Sequence, residues 1–167
     1  VILTGRTVRL EPLEARHAPG LLAAADPELF RFTPQAPPEW SVAGFEAEIQ
    51  RVNTLPDVVA FAMVLVESGE VVGRTTFMDI QPAHRGLEIG RTWIGRRHHG
   101  TRVNPDAKRL MLAHAFETLN AVRVQFTTSA RNLHSQRAIA KLGAVREGVL
   151  RHDRILPDGE IRDTVVF

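Results

Sequence analysis

"IGRRHHGTRVNPDAKRLMLAHAF", residues 94–116, joins a strand end, a basic and imidazole run, a single glycine and an unmistakable helix start. Asn104-Pro105-Asp106 writes that start three ways: a capping side chain, a proline whose missing N–H is harmless at the first helical position, and an early carboxylate. The helix is expected from Asn104, with Ala107, Leu110, Met111, Ala115 and Leu119 on one face, widened by Leu112 and Phe116. Its first N–H groups have no intrahelical partner, and with the macrodipole they form a positive pole. Gly100 has no Cβ and lets main chain approach another group closely. Strand end, glycine turn and helix start are the parts of an anion cradle, to which Arg96, Arg97 and Arg102 would add attraction, and a pyrophosphate is its natural guest. The plainer alternative makes Gly100 a turn residue and the arginines a solvated surface. Neither Gly-x-Gly-x-x-Gly nor Gly-Lys-Ser/Thr occurs here, which excludes two common phosphate loops.

Upstream of this stretch, residues 7–11 alternate as a half-buried strand, and 14–25 read as a helix of modest quality. Residues 27–39 hold Pro27, Pro34, Pro37 and Pro38 and are expected to be irregular. Ser41 can cap a second helix to about Asn53, with Phe45, Ile49 and Val52 on one stripe. Residues 58–66 and 71–80 form a predicted antiparallel hairpin about the turn 67–70, and 87–94 give the next strand. Downstream, 122–128 read as a strand, 132–142 as a short helix stopped by Gly143, and 149–156 with 161–167 as a hairpin turning at Pro157-Asp158-Gly159. Strands and helices in this order describe a mixed α/β sheet with helices on its faces.

Bulk composition narrows the possibilities. A chain of 167 residues, 44% hydrophobic and 24% charged, makes one domain with a proper core. The isoelectric point of 9.9 reflects the absence of Cys and Tyr more than any excess of base, since the formal net charge is only +2. Nucleic acid is therefore not an expected partner. Without cysteine there are no disulfides, thiolate metal ligands or thiol nucleophile, which suits a cytoplasmic protein. No apolar run is long enough for a membrane span, and no signal-peptide plan opens the chain. A chain that begins at Val1 and ends on a strand-like Val165-Val166-Phe167 leaves room for residues missing at either end. His17, His84, His98, His99, His114, His134 and His152 show no metal-ligand spacing, and His98-His99 are expected to be exposed, so no metal is expected.

Arg97-His98-His99-Gly100-Thr101-Arg102 before a helix resembles the acyl-CoA signature Gln/Arg-x-x-Gly-x-Gly/Ala of the GNAT N-acetyltransferase superfamily. The likeness extends through Leu87-Glu88-Ile89-Gly90 to Trp93-Ile94, then Asn132-Leu133-His134-Ser135-Gln136-Arg137-Ala138, Glu147-Gly148-Val149-Leu150-Arg151, Asp158-Gly159 and Arg162-Asp163. With the opening Arg6-Thr7-Val8-Arg9-Leu10-Glu11-Pro12-Leu13 it covers nearly the whole chain and is similar to the RimJ/RimL-like branch, whose named members acetylate ribosomal-protein N-termini. The resemblance implies a single N-acetyltransferase domain over 1–167, a mixed, mostly antiparallel sheet of about seven strands flanked by about four helices. It implies acetyl-CoA as cosubstrate, held by Trp93, Ile94, Arg97, Gly100, Thr101, Arg102, Val103, Asn104, Asn132, Ser135 and Arg137. Arg102 stands where the signature has Gly/Ala, but main-chain N–H groups do the binding and any residue except proline supplies one.

By the same resemblance the pantetheine arm lies beside residues 87–94, whose N–H groups would polarise the thioester carbonyl. Direct attack by an amine needs no enzyme nucleophile. At pH 7 an N-terminal α-amine is roughly one tenth neutral, a lysine only about one part in 2,500, so an N-terminal acceptor asks less of a base. Glu88 is the candidate base, or else a structural or substrate-orienting carboxylate; alternation puts it on one face with Gly90, Thr92 and Ile94. No tyrosine is present to protonate the departing thiolate, and the resemblance gives that role to Ser135, with Asn132 on the pantetheine arm. Capping of the local helix is the alternative for both. Phe30, Phe32 and Trp40 either line the acceptor groove or pack in the core. The expected function is transfer of acetyl to a primary amine, a protein N-terminus ahead of a small-molecule amine, by a monomer or homodimer; a non-catalytic acyl-CoA sensor is the reading from another class.

Overall fold

A computed structural model describes residues 1–32, 36–156 and 158–167. β1 (Leu3–Thr4), β2 (Val8–Pro12), β3 (Val59–Leu65), β4 (Val71–Gln81), β5 (Gly86–Ile94) and β6 (Arg123–Gln125) follow one another across a six-stranded sheet, antiparallel except for the β5–β6 pair. A second sheet has the order β7 (Thr127–Ser129), β9 (Ile161–Val166), β8 (Gly148–Ile155). α1 (Ala18–Ala24) and α2 (Val42–Asn53) cover one face of the large sheet, and α3 (Val103–Ala113) covers the other. α4 (Leu133–Ala140) follows β7.

β3 explains why the sheet is sandwiched. Phe61 and Met63 point to α3, where they meet Val103, Ala107 and Met111, while Ala60, Ala62 and Val64 face Leu21, Phe45, Ile49 and Val52 of the helical pair. A strand buried on both faces reads as a continuous apolar run, as this one does. Phe61 and Met111 are wholly buried, each contributing roughly 1.5–3 kcal/mol of transfer free energy. Local signals fix the other elements. Ser41 Oγ accepts from Gly44 N (3.1 Å) at the start of α2, and Gly143, at φ +86°, closes the turn after α4.

Four expectations are corrected. α3 begins at Val103, with Arg102 in the capping position, so Asn104 lies inside the first turn and does not cap it. The chain leaves α3 through a π-helical turn, His114–Thr118, where Leu119 N donates to His114 O (3.0 Å). That wider turn breaks the apolar stripe: Ala115 stays buried, but Phe116 and Leu119 are exposed. The strand expected over 122–128 divides at Phe126, whose N–H and C=O both bond Phe167, and this cuts the one expected sheet into two. Finally, the first helix opens as a 3-10 turn, Ala15–His17, before α1. Of the prolines expected in irregular or turn positions, Pro34 and Pro157 lie outside the described residues.

Asp106 does more than face the helix dipole. Its Oδ2 accepts from Thr7 N (2.8 Å) and Val8 N (3.2 Å), tying α3 to the β1–β2 turn. Gly5 permits this approach, because a Cβ there would stand 2.2 Å from that oxygen. Gly5→Ala is expected to lower stability by about 1–3 kcal/mol, seen as a lower urea midpoint at unchanged slope; an unaltered midpoint would contradict the link.

Candidate functional site

β5 and β6 run parallel for three rungs, Gly86 to Arg123, Leu87 to Val124 and Glu88 to Gln125, and then separate. Beyond the Glu88 rung the chain of β6 becomes β7 and joins β9 instead. A fork results, with β5 main chain along one arm and β7 leading into α4 along the other. Glu88 sits in its crotch, only 7% exposed, and its carboxylate accepts from Thr127 Oγ1 (2.7 Å) and Gln125 Nε2 (3.3 Å). Burial pushes its pKa up, against the opposing effect of those two donors.

A bulge in β5 changes the facing of residues along this arm. Arg91 has φ +50°, a left-handed conformation that costs a non-glycine residue roughly 1–3 kcal/mol, and the pairing with β4 slips between Arg74 and Thr76. Strict alternation therefore fails. Glu88 and Trp93 face the α1–α2 side, whereas Thr92 and Ile94 turn to α3 with Leu87 and Ile89, contrary to the shared face expected for Glu88, Thr92 and Ile94.

The arm ends in the basic turn. Gly100 has φ +74° and open space where a Cβ would be. Among the described residues no hydrogen-bond partner is found for the N–H groups of Gly100, Arg102 and Asn104, and Val103 N makes a long bond (3.3 Å) to Thr101 Oγ1. Several amides left unpaired at one helix start are what a diphosphate requires, so the residues present fit the cosubstrate that the signature implies. Arg97 is drawn into an ion pair with Glu70, and Arg102 is exposed. Trp93 and Ile94 have their side chains in the two cores, and Ile94 O accepts from His99 Nε2 (2.8 Å), so they offer the fork main chain only.

The opposite arm carries Asn132, whose Oδ1 accepts from Ser135 N (3.0 Å) and caps α4, leaving its amide N–H groups for another partner. Ser135 is half-buried in the first turn, and Arg137 is exposed one turn on. His99 and His134 stack, ring centroids 5.8 Å apart and 20° between planes, which brings the basic turn and the start of α4 together. His98 is half-buried rather than exposed, with Nε2 3.8 Å from Glu70 Oε1. Among the described residues no cluster of His, Asp or Glu could hold a metal ion. Among the described residues no helix is long and apolar enough to cross a membrane.

Sequence reasoning missed two groups. Lys108, on α3, reaches under the fork: Nζ donates to Thr92 Oγ1 (2.6 Å) and Thr75 Oγ1 (3.1 Å) and lies 5.9 Å from the Phe126 ring centroid. Burial alone pulls its pKa from 10.5 to about 7. Across the sheet, Arg74 is buried against Glu48 of α2 (3.0 Å). Near it Phe30, Trp40, Phe45 and Trp93 form an edge-to-face chain with centroids 5.5–6.4 Å apart. Phe30 is thus core and Trp40 partly open, while Phe32 O accepts from Arg162 Nη1 (3.1 Å).

Residues 7–145 match the model of the acetyltransferase (GNAT) domain. The chain is similar to a candidate acetyltransferase from T. thermophilus, at 44% identity and TM-score 0.91 over 99% of this chain and 86% of that one. A GCN5-related N-acetyltransferase from Brucella melitensis is 31% identical, TM-score 0.92, over 100% of this chain and 77% of that one. A ribosomal-protein alanine acetyltransferase from Vibrio fischeri shares the fold, TM-score 0.81, at 16% identity over 99% and 94%. No curated protein is significantly similar in sequence.

Lys108 gives a ligand-free check of the site. Between pH 7 and 10.5 the unfolded chain holds a proton that the folded protein lacks, so stability rises with pH across that window. With no Cys, no Tyr and one other lysine, Lys141, the window is nearly clear. The urea midpoint of the wild type is expected to climb relative to that of Lys108→Met from pH 7 to 10; a constant difference would contradict the burial of this amine.

Proposed function

We propose that this chain, which belongs to the GNAT acetyltransferase family, moves an acetyl group from acetyl-CoA to a primary amine by direct attack in a ternary complex. The observation that carries this reading is the set of unpaired amides at Gly100, Arg102 and Asn104, standing at the end of the arm that carries Glu88. Acetyl-CoA, when bound, supplies an activated thioester acyl group. The N–H groups of the basic turn hold its diphosphate, aided by Thr101 and Val103, and Arg97, Arg102 and Arg137 add positive charge nearby. Asn132 offers its amide to the pantetheine arm, and the β5 edge turned away from β4 runs along the fork, without a strand beside it among the described residues, to receive the rest.

Balance of the transfer needs two proton movements. The nitrogen–carbon bond forms as the carbon–sulfur bond breaks; one proton leaves nitrogen and one is taken by sulfur. Glu88 receives the first, directly or through water, its raised pKa bringing it nearer to neutrality. Ser135 delivers the second. A thiol pKa near 8.5 makes the thiolate a tolerable leaving group, so little acid help is required. The acceptor in this reading is the α-amine of a protein or peptide N-terminus of the ribosomal-protein type, in the cytoplasm. Its support is the RimJ/RimL-like motif series and the smaller demand such an amine places on the base.

Calorimetry is expected to show acetyl-CoA binding, and thiol release to follow addition of peptides with free N-termini. Because the carboxylate must be ionised to take a proton, activity should rise with pH through the elevated Glu88 pKa. Glu88→Gln should remove that limb and lower kcat/KM about 100-fold, and Ser135→Ala should lower kcat by about 10-fold. Unchanged rates in both variants would reassign the two proton transfers, and a protein that takes up no acetyl-CoA would end the functional reading.

A further inference from the structure

Glu48, inside α2, is fully engaged by the chain. Its Oε2 accepts from Arg51 Nε (2.8 Å), and its Oε1 accepts from Arg51 Nη2 (2.9 Å) and Arg74 Nη2 (3.0 Å). Arg74, on β4, is 4% exposed, yet among the described residues its Nε and Nη1 have no partner. Arg91 repeats the pattern at the β5 bulge, with buried Nε and Nη1 both unpartnered. Thr76 Oγ1 and Trp93 Nε1, on the same stretch of sheet, are unpartnered too. Two guanidiniums thus share one buried carboxylate and a third, Arg91, adds its charge nearby without bonding it, while a small cavity lined by Phe30, Phe45, Glu48, Arg74 and Trp93 lies beside Arg74. Buried donors are almost always paired in folded proteins, and leaving an ionised one unpaired is costly. Burial pulls both Arg74 and Arg91 below the usual arginine range, and for Arg91 the charges of Arg74 and Arg51 add to it.

These groups stand on the face that carries Glu88. Along the β4–β5 ladder Glu88 pairs with Met78, Gly90 with Thr76 and Trp93 with Arg74. Same-face positions on a strand recur every ~7 Å, so the backbone positions of Arg91 and Arg74 lie one to two such steps, about 7–14 Å, along the sheet from that of the carboxylate assigned to the amine proton. Given the acetyl-transfer reading above, we infer that the amine acceptor carries a carboxylate about one residue's length beyond its nitrogen, and that Arg74 and Arg91 bind it. The planar fork of a guanidinium matches a carboxylate with two parallel N–H bonds, and the four orphaned donors supply them. An acidic side chain at the second position of a peptide spans the distance. The α-carboxylate of a free amino acid lies only about 2.5 Å from its own nitrogen and falls short. A neutral isostere leaves buried cations unpaired, which is the condition under which a site discriminates strongly.

Thiol release from acetyl-CoA is compared for Ala-Asp-amide against Ala-Asn-amide, and for free alanine against alaninamide. The acidic peptide is expected to exceed its neutral partner at least tenfold in kcat/KM, with no such gain for the amino acid. Arg91→Gly removes one guanidinium and relaxes a left-handed residue, so it should fold, and it is expected to cut the acidic preference to within about threefold. Arg74→Met should do the same. Equal or inverted preference in the wild type, or a preference untouched by Arg91→Gly, would overturn the inference while acetyl transfer stands; a gain confined to free alanine would overturn the peptide span. If none of the four acceptors turns over, the transfer reading fails separately, and calorimetry of acetyl-Ala-Asp-amide against acetyl-Ala-Asn-amide still decides: tighter binding of the acid upholds anion recognition, equal binding refutes it.

Discussion

Beyond the rung that joins Glu88 to Gln125, β5 has no strand on its second edge among the described residues, because the chain after Gln125 spends its next hydrogen bonds on Phe167 and then on β9. A sheet edge left open inside a protein is ordinarily covered or paired. Here it is kept open by two independent sets of bonds pulling in different directions, and the carboxylate at the branch point is held from both sides, by Gln125 of one strand and Thr127 of the next. Opening the edge, burying Glu88 and raising its pKa are consequences of that single divergence. The turn with Gly100 then follows directly from the open strand, so the same element that exposes main chain also leads to the helix start proposed to hold the diphosphate.

The two faces of the sheet around the Arg91 bulge bury cations of different kinds. On the α3 side the buried cation is Lys108, an amine that can shed its proton and that two threonine hydroxyls satisfy. On the α2 side the cations are guanidiniums, which cannot lose charge at any ordinary pH and for which Glu48 supplies too few acceptors. A core can absorb the first kind by neutralising it. The second kind keeps its demand for an anion, which is why the α2 side is the one read as acceptor-facing.

Much of this was legible in the sequence where the signal was local. Ser41 and Asn132 cap their helices through bonds to residues three positions on, Gly143 closes a turn at positive φ, and the hairpins fall where turn residues interrupt apolar runs. Legibility failed where a distant partner decides. Residues 122–128 are uniformly strand-like, and only Phe167 shows that Phe126 must leave one sheet for another. Arg91 carries no mark of a left-handed residue, so the inverted phase of Thr92 and Ile94 was invisible. Lys108 and Arg74 carry no local sign of burial, and only the packing of α3 and α2 on the sheet buries them. Glu88 and the basic turn emerged from motif resemblance joined to helix-start chemistry, and the structure brings them onto one strand and its exit.

The account stands or falls on the amides of the basic turn. Backbone NMR of the isotope-labelled protein, recorded as CoA is added, reports on each of them separately. The N–H resonances of Gly100, Arg102 and Asn104 are expected to show the largest shifts in the spectrum and to saturate together. Shifts scattered over the surface, with those three unmoved, would contradict it.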